Sequence, residues 1–316
     1  MVKPFVSICI PAYKRPEFLV RLLDSIGNQT YSDFEVVITD DSSDESVAHL
    51  IKLYSSRFTI HYYKNPKALG TPANWNAAIR LARGEWIKLM HDDDWFENSN
   101  SLEIFFMATK TATSPFIFSG FRNLDIETNH SEQYVLTAWH AHLLRKNPFN
   151  LLKKNFIGHP STTFIKNDTR EWYDENLKWV VDIEFYTRTL LKTGFYAIRQ
   201  PLVNLGISSH QVTKTAFRQP GIEIPENLYL LNKISPAALK ALFAYDYFWR
   251  FIRNLSIRNT DMIQTYCPEY SIPAVIKLMI SYQKHLPAGV LKIGFVSKSI
   301  MLISYLHGRS FGMLKK

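Results

Sequence analysis

The chain has 316 residues, enough for one large domain or one domain with a smaller appendage. Hydrophobic residues make up 46% and charged residues 21%, which excludes a disordered polymer and predicts an ordinary buried core. The net charge of +9 is unevenly placed: residues 221–316 carry 12 Lys/Arg against 5 Asp/Glu, leaving 25 against 23 in residues 1–220.

A basic C-terminal region calls for an anionic partner or is simply a solvated helical face. Of the anionic partners, a membrane surface is expected and nucleic acid is not. The two cysteines, Cys9 and Cys267, match no metal or redox spacing and fit a reducing compartment. The start of the chain lacks the apolar stretch of a signal peptide. No segment offers the roughly 18 uninterrupted apolar residues of a membrane span; the best, residues 293–306, contains Lys298. The expected location is the cytoplasm, at the inner face of the cell membrane if the basic region binds lipid.

In chain order, Phe5–Ile10 reads as a strand, broken by Pro11-Ala12-Tyr13-Lys14-Arg15-Pro16. Phe18, Leu19, Leu22, Leu23 and Ile26 then fall at helix spacing, with Pro16 suited to an early helical position. Phe34–Thr39 is a second strand ending in Asp40-Asp41-Ser42-Ser43-Asp44, a turn and helix-start composition. A helix to about Ser55 and a strand near Phe58–Tyr63 follow. Thr71 and Pro72 predict an N-cap and first helical residue for a helix to about Ala82. Gly84 stops it, and Glu85–Met90 is a strand that runs into His91-Asp92-Asp93-Asp94.

Strands near Phe116–Ser119, Ser161–Ile165 and Phe195–Val203, with a helix over Asp182–Thr193, extend the pattern. Beyond Pro236, helices are expected over Ala237–Asn254, Pro273–His285 and Val290–His307. Alternating strands and helices with short connections predict an α/β, doubly wound, mostly parallel sheet flanked by helices, with a helical C-terminal extension. The expected division is residues 1–220 and 221–316. Ligands in such sheets bind beyond the carboxyl ends of the strands, where both aspartate clusters fall.

Three adjacent carboxylates repel one another unless a cation compensates them. Hard oxygen ligands suit Mg²⁺ or Mn²⁺, with substrate phosphates completing the shell. A solvated acidic turn is the competing reading of Asp92-Asp93-Asp94, and N-capping that of Asp40-Asp41.

Four segments in order change that balance. Val6-Ser7-Ile8-Cys9-Ile10-Pro11-Ala12-Tyr13 resembles the opening strand of the family 2 glycosyltransferases of GT-A fold. Val36-Val37-Ile38-Thr39-Asp40-Asp41-Ser42-Ser43-Asp44 is similar to their second strand and Asp-Asp turn. Asn74-Trp75-Asn76-Ala77-Ala78 with Ala82-Arg83-Gly84-Glu85-Trp86-Ile87 resembles their next helix and strand entry. Lys88-Leu89-Met90-His91-Asp92-Asp93-Asp94-Trp95 resembles their metal-binding motif, with His91 where the longer form has its first Asp.

The resemblance spans about residues 5–210 and implies roles. Pro11, Ala12, Tyr13 and Arg15 would line a nucleotide pocket. Asp41 would contact the base, uracil or thymine, with Asp40 beside it. Asp92 would approach the ribose or sugar, and Asp93 or Asp94 would hold a divalent metal, Mn²⁺ or Mg²⁺, with His210 as a further contact. In Lys178-Trp179-Val180-Val181-Asp182-Ile183-Glu184, Asp182 would be the general base of an inverting transfer, although Val181 replaces the first acid of the family's Glu-Asp pair; Glu184 is the alternative.

The implied reaction moves a sugar from a nucleotide-sugar donor, UDP-linked by preference, to a hydroxyl of a glycan or lipid-linked glycan in bacterial surface polysaccharide synthesis. Peripheral membrane contact through the C-terminal helices would suit a lipid-linked acceptor. There Tyr245, Phe248, Trp249, Phe251 and Ile252 mix with Arg250 and Arg253 at helical spacing, as in an interfacial helix or an ordinary packed one. An inactive relative that binds a nucleotide sugar or a partner is the alternative. A sugar-phosphate nucleotidylyltransferase would need a Gly-rich loop after the first strand, and that loop has no glycine.

Overall fold

The structure, a computed structural model, describes residues 3–168, 172–207, 218–234 and 236–314. Strand β1, Val6–Ala12, is buried along its whole length, as is nearly all of β2, Phe34–Asp40. Strands covered on both faces need near-continuous apolar runs, which these sequences supply. Between them, helix α1, Pro16–Gly27, buries Leu19, Leu22, Leu23 and Ile26, one face at the spacing read from the sequence. Helix α2, Ser46–Tyr54, leads to β3, Ile60–Lys64, and α3, Ala73–Leu81, to β4, Trp86–Leu89.

The short strand β5, Asp94–Phe96, helix α4, Ser101–Thr109, and long β6, Phe116–Asp125, come next. Then follow β7, Ser131–Tyr134, α5, Ala138–Lys146, β8, Thr163–Lys166, α6, Val181–Thr193, and β9, Tyr196–Ile207. The sheet order is β3-β2-β1-β4-β8-β6-β9-β5, with β7 paired to β6. The half built from β1 to β4 is parallel; β8 pairs antiparallel with both β4 and β6, and β9 runs parallel to β6. Helices flank this curled α/β sheet.

Register positions the site. Ala12 lies opposite Asp40, and Cys9 opposite Leu89. The carboxyl ends of β1 and β2 are therefore level, β4 ends earlier, beside Cys9, and the loops that follow open on one rim.

Two corrections concern local starts and stops. Thr71 does not cap α3: the helix begins at Ala73, with the Asn74 amide bonded to the Gly70 carbonyl at 2.8 Å. The C-terminal helices are also shorter than the apolar pattern predicts. Pro236–Lys240 is a 3₁₀ turn, and the extended Ala241 separates it from the helix Leu242–Asn254; Ile293 likewise separates Ala288–Lys292 from Gly294–Ser310.

The chain divides into two compact units, residues 1–145 with 156–211 and residues 146–155 with 212–316. All nine strands belong to the first. The second is helical: α7, Pro220–Ile234; α8, Leu242–Asn254; α9, Thr260–Tyr266; α10, Ala274–Gln283; α11, Ala288–Lys292; and α12, Gly294–Ser310. The aromatic face of α8 is its core: Tyr245, Phe248, Trp249, Phe251 and Ile252 are all buried. Trp249 Nε1 donates to Ser297 Oγ at 3.1 Å, and Gln283 Nε2 donates to the Trp249 carbonyl at 3.1 Å. That face is thus used inside the unit and is unavailable to a membrane interface.

Gly84, at the entry to β4, shows why an Arg-Gly step is needed. Arg83 pairs with the buried Glu35 through Nη2 at 2.6 Å, and the Gly84 amide donates to Ser7 Oγ at 2.7 Å. A Cβ on Gly84 would sit 2.5 Å from the Ser7 backbone nitrogen. Gly84→Ala must push apart β1 and the α3–β4 turn. It is predicted to lower stability by about 1–3 kcal/mol in urea unfolding; an unchanged midpoint would refute the close-approach account.

Candidate active site

The acidic triplet follows β4 and is held from three sides. Asp94 is buried at the start of β5, pairs opposite Leu205 of β9, and its Oδ1 accepts from the Gly206 amide at 3.2 Å. A Cβ on Gly206 would lie 2.3 Å from the Asp93 carbonyl oxygen, so only glycine lets β9 come this close. From the β1 side, Lys14 and Arg15 both take left-handed backbone angles, φ 57° and 52°, which non-glycine residues adopt sparingly and mostly where function demands it. This turn aims the Arg15 guanidinium at the triplet, 2.7 Å from Asp92 Oδ1 and 3.7 Å from Asp93 Oδ2.

The third support is the 3₁₀ turn Pro160–Thr162. Its Ser161 Oγ accepts from the His91 amide at 2.9 Å, and its Ser161 carbonyl accepts from the fully buried Lys88 Nζ. Lys88 stands mid-strand in β4, and burial lowers its ammonium to about 7. It braces the turn from beneath.

One guanidinium faces two carboxylates, the buried Asp92 and the half-buried Asp93, and Asp94 is buried next to them without it. Burial pushes Asp92 up to about 7 against the opposing pull of Arg15; it raises Asp93 as well, and Asp94 further, where the Asp93 charge adds to it. Burial lowers the His91 imidazole to about 3, so the ring is neutral at physiological pH and able to donate a lone pair. Three buried atoms here lack a hydrogen-bond partner: His91 Nε2, Asp92 Oδ2 and Asp94 Oδ2. Such orphans carry a desolvation penalty that a bound cation removes. Ligand atoms of His91, Asp93 and Asp94 lie within 4.8 Å of one another. One neutral imidazole with two carboxylates is a donor set that fits Mn²⁺ well and Mg²⁺ acceptably.

A pH prediction follows. A carboxyl whose folded pKa is raised withdraws stability as pH climbs from its unfolded value, about 3.9, to its folded one, and fully above it. In EDTA the melting temperature is predicted to fall between about pH 5 and 7.5 through this site, with a shallower slope in Asp92→Asn/Asp94→Asn. Mn²⁺ should restore more stability at the upper pH than at the lower, where protons compete for the ligands. Equal slopes in both proteins would remove the triplet as the cause.

At the end of β2, Asp41 accepts from Asn65 Nδ2 at 2.8 Å and from the Leu69 and Gly70 amides at 3.0 and 2.8 Å. Asp40 is wholly buried, with its oxygens taken by the Ser42 amide at 2.8 Å and the Tyr62 hydroxyl at 2.7 Å. Pro11 and Ala12 are buried beside them, and Tyr13 projects, 51% exposed. The Asn74-Trp75-Asn76 segment links these pieces. Asn74 Nδ2 donates to the Ala12 and Thr39 carbonyls at 3.3 and 3.1 Å, tying β1 to β2. Trp75 lies against His91 at 4.7 Å and Tyr173 at 5.1 Å between ring centroids. Asn76 bonds both the carbonyl and the amide of Tyr173, at 2.8 and 3.1 Å.

Residues 7–168, more than half of the chain, match the sequence profile of glycosyl transferase family 2. The chain belongs to that family. Among its relatives, a putative colanic acid biosynthesis glycosyl transferase of Escherichia coli, WcaA, is 29% identical over 200 residues, 60% of this chain and 68% of the relative. Across four curated relatives the matching segment spans 18% to 68% of the relative's own length. The fold is that of GT-A glycosyltransferases. Residues 1–349 of Staphylococcus aureus TarS, solved with UDP-GlcNAc, superpose with a TM-score of 0.62 at 14% identity, covering 97% of this chain and 92% of that one. The mannosyltransferase PcManGT of Pyrobaculum calidifontis, solved with GDP-Man and Mn²⁺, gives 0.55 at 15% identity, covering 99% and 88%. At such identities the likeness is one of fold.

In this family 2 chain, Asp182 sits in the first turn of α6, partly exposed, and its Oδ1 accepts from the Ile183 amide at 2.8 Å. Its charge adds to burial in raising the hydroxyls of Tyr173 and Tyr186. A path of rings, His91 to Trp75 to Tyr173 to Phe185 of α6, joins the triplet to this helix. Glu184, the alternative acid, is buried and bidentate to Arg188 at 2.8 and 3.2 Å, while Arg188 also donates to the Trp172 carbonyl at 2.6 Å. His210 lies outside the described residues.

Sequence reading passed over His91 as a donor, treating it as a departure from the motif. It assigned no part in the site to Lys88 or Ser161. A lysine inside an otherwise apolar strand was the available signal, since a charge there must find partners.

Proposed function

We propose that this chain transfers a sugar, with inversion, from a nucleotide-sugar donor to a hydroxyl of a glycan or lipid-linked glycan. The donor is read as UDP-linked and the setting as bacterial surface polysaccharide synthesis at the inner face of the cell membrane. The observation that carries the reading is the buried triplet with its unsatisfied oxygens at the rim of a family 2 fold. The WcaA and TarS likenesses support the polysaccharide and UDP-sugar parts. The catalytic region is taken as residues 1–220, with residues 221–316 a basic helical region.

In this reading Pro11, Ala12 and Tyr13 line the nucleotide pocket, with the exposed Tyr13 ring as a platform for the base. Asp41 accepts from the base. Asp40, whose oxygens are engaged by Ser42 and Tyr62, fixes the turn that carries Asp41. Asp92, oriented by Arg15, faces the ribose and sugar. Asp93 and Asp94, with His91 and, on resemblance, His210, would hold Mn²⁺ or Mg²⁺. A bound divalent cation supplies Lewis-acid neutralisation of the leaving diphosphate. Asp182 takes the proton of the acceptor hydroxyl as its oxygen forms the bond to the anomeric carbon. The bond from that carbon to the diphosphate oxygen breaks on the opposite face, and the nucleoside diphosphate departs with the electron pair.

The test is a panel of nucleotide sugars assayed for nucleoside diphosphate release and transfer, with Mn²⁺, Mg²⁺ or EDTA. Metal-dependent release from one donor is expected. Silence with every donor, even with lipid-phosphate acceptors supplied, would instead favour a protein that binds without turnover.

A further inference from the structure

The helical unit contains a polar cavity that the donor reading does not use. It measures about 400 Å³ and is lined by Arg218, Arg253, Arg258 and Lys292, together with Asn254 and Ser256; among the described residues no carboxylate lines it. Its walls come from three places, the first being Arg218 just ahead of α7. The turn that ends α8 carries Arg253, Asn254, Ser256 and Arg258, folded back by the Ser256 amide on the Arg253 carbonyl at 3.1 Å and the Ile257 amide on the Ile252 carbonyl at 3.0 Å. Helix α11 supplies Lys292 opposite.

The cations are oriented by neutral groups. Arg253 donates through Nε and Nη2 to Asn254 Oδ1 at 3.1 and 3.0 Å, and through Nη1 to Ser297 Oγ at 3.3 Å. Arg258 Nη1 donates to the main-chain oxygen of Gln283. These acceptors hold the guanidinium planes without cancelling their charge. Two acids bear on it from outside its lining: Asp246 pairs with Arg250 at 3.0 Å, and Glu223, which accepts from the Arg218 amide, also feels the Arg218 charge. Burial lowers Arg253 below its usual value; repulsion from Arg250 and Arg218 adds to that, and the Asp246 charge opposes it. Four cations around one cavity repel one another, and that repulsion is removed by a multiply charged anion. Planar guanidinium forks match phosphate oxygens in geometry as well as charge.

We propose that this cavity binds a phosphate-bearing anion, a phosphomonoester or diphosphate group. Two sources share that chemistry, a free polyphosphate and the headgroup of a phospholipid or lipid phosphate. Ile293 and Phe295, directly after Lys292, are 55% and 83% exposed and would meet the acyl region in the second case. The site stands apart from the donor reading, because none of its residues belongs to the triplet.

The test uses the full chain in EDTA, which removes metal-bridged binding at the triplet. One arm titrates inorganic pyrophosphate by calorimetry. The other sediments the protein with phosphatidylcholine vesicles containing either phosphatidic acid or phosphatidylserine, matched in charge. The wild-type chain is expected to bind pyrophosphate, phosphatidic acid vesicles, or both, about tenfold or more tighter than Arg253→Gln/Lys292→Gln. Lys292→Glu, a change at an exposed position, guards against a folding defect and should weaken binding in the same direction. Binding only to phosphatidic acid identifies the lipid-borne source, and binding to pyrophosphate the soluble one. Failure of both probes, equal binding by both variants, or equal sedimentation with phosphatidylserine would each overturn the proposal.

Discussion

Replacing Asp93 or Asp94 with asparagine is expected to lower sugar transfer by about three orders of magnitude. Electrostatic stabilisation by a bound cation supplies several kcal/mol to the departing diphosphate, and about 4 kcal/mol corresponds to that factor. Asparagine keeps the shape and one oxygen. At position 94 it retains an acceptor for the Gly206 amide, which bonds Asp94 Oδ1 at 3.2 Å. The fold should therefore persist. In EDTA, Asp94→Asn should melt no lower than the wild type at neutral pH, because a carboxyl that burial raises so far is an unfavourable charge there. Loss of activity with unchanged or higher melting temperature would separate a functional carboxylate from a structural one. Undiminished transfer with either variant would remove the triplet from the reaction.

Asp182→Asn is the second large effect. Loss of a general base lowers transfer by about 10²–10⁴-fold. Donor binding and metal-stimulated melting should be untouched, since this change leaves the triplet intact. Glu184→Gln makes the contrast: it leaves the partly buried Arg188 without its bidentate carboxylate, and breaking a buried pair destabilises by about 3–5 kcal/mol. Glu184→Gln should thus be read in unfolding, and Asp182→Asn in the rate. A destabilised Asp182→Asn with a normal rate per folded molecule would exchange the two roles.

Much of the first hundred residues could be read from sequence because each element there is specified locally. Leu19, Leu22, Leu23 and Ile26 mark one helix face, and the apolar runs of β1 and β2 are what a sheet covered on both sides demands. The short strand Asp94–Phe96 carries no such mark; it exists because Leu205, Asn204 and Val203 of β9 pair with it from over a hundred residues away. The break at Ala241 carries no local mark either, whereas the one at Ile293 adjoins Gly294, a weak helix former that the apolar pattern masks.

The candidate site divides in the same way. Composition and order were enough to set the α/β sheet, to put Asp40-Asp41 and Asp92-Asp93-Asp94 at strand ends, and to show family 2 motifs, because strand ends and turns are written in neighbouring residues. Which atoms meet was decided only by tertiary structure. His91 joins Asp93 and Asp94 because the turn folds all three inward, Arg15 reaches Asp92 across 77 positions, and Lys88 braces a turn more than 70 residues later. The basic cavity in the helical unit likewise draws Arg218, the turn carrying Arg253 and Arg258, and Lys292 from separate segments. Distances between such residues depend on the summed packing of every element between them, and no local pattern encodes that sum.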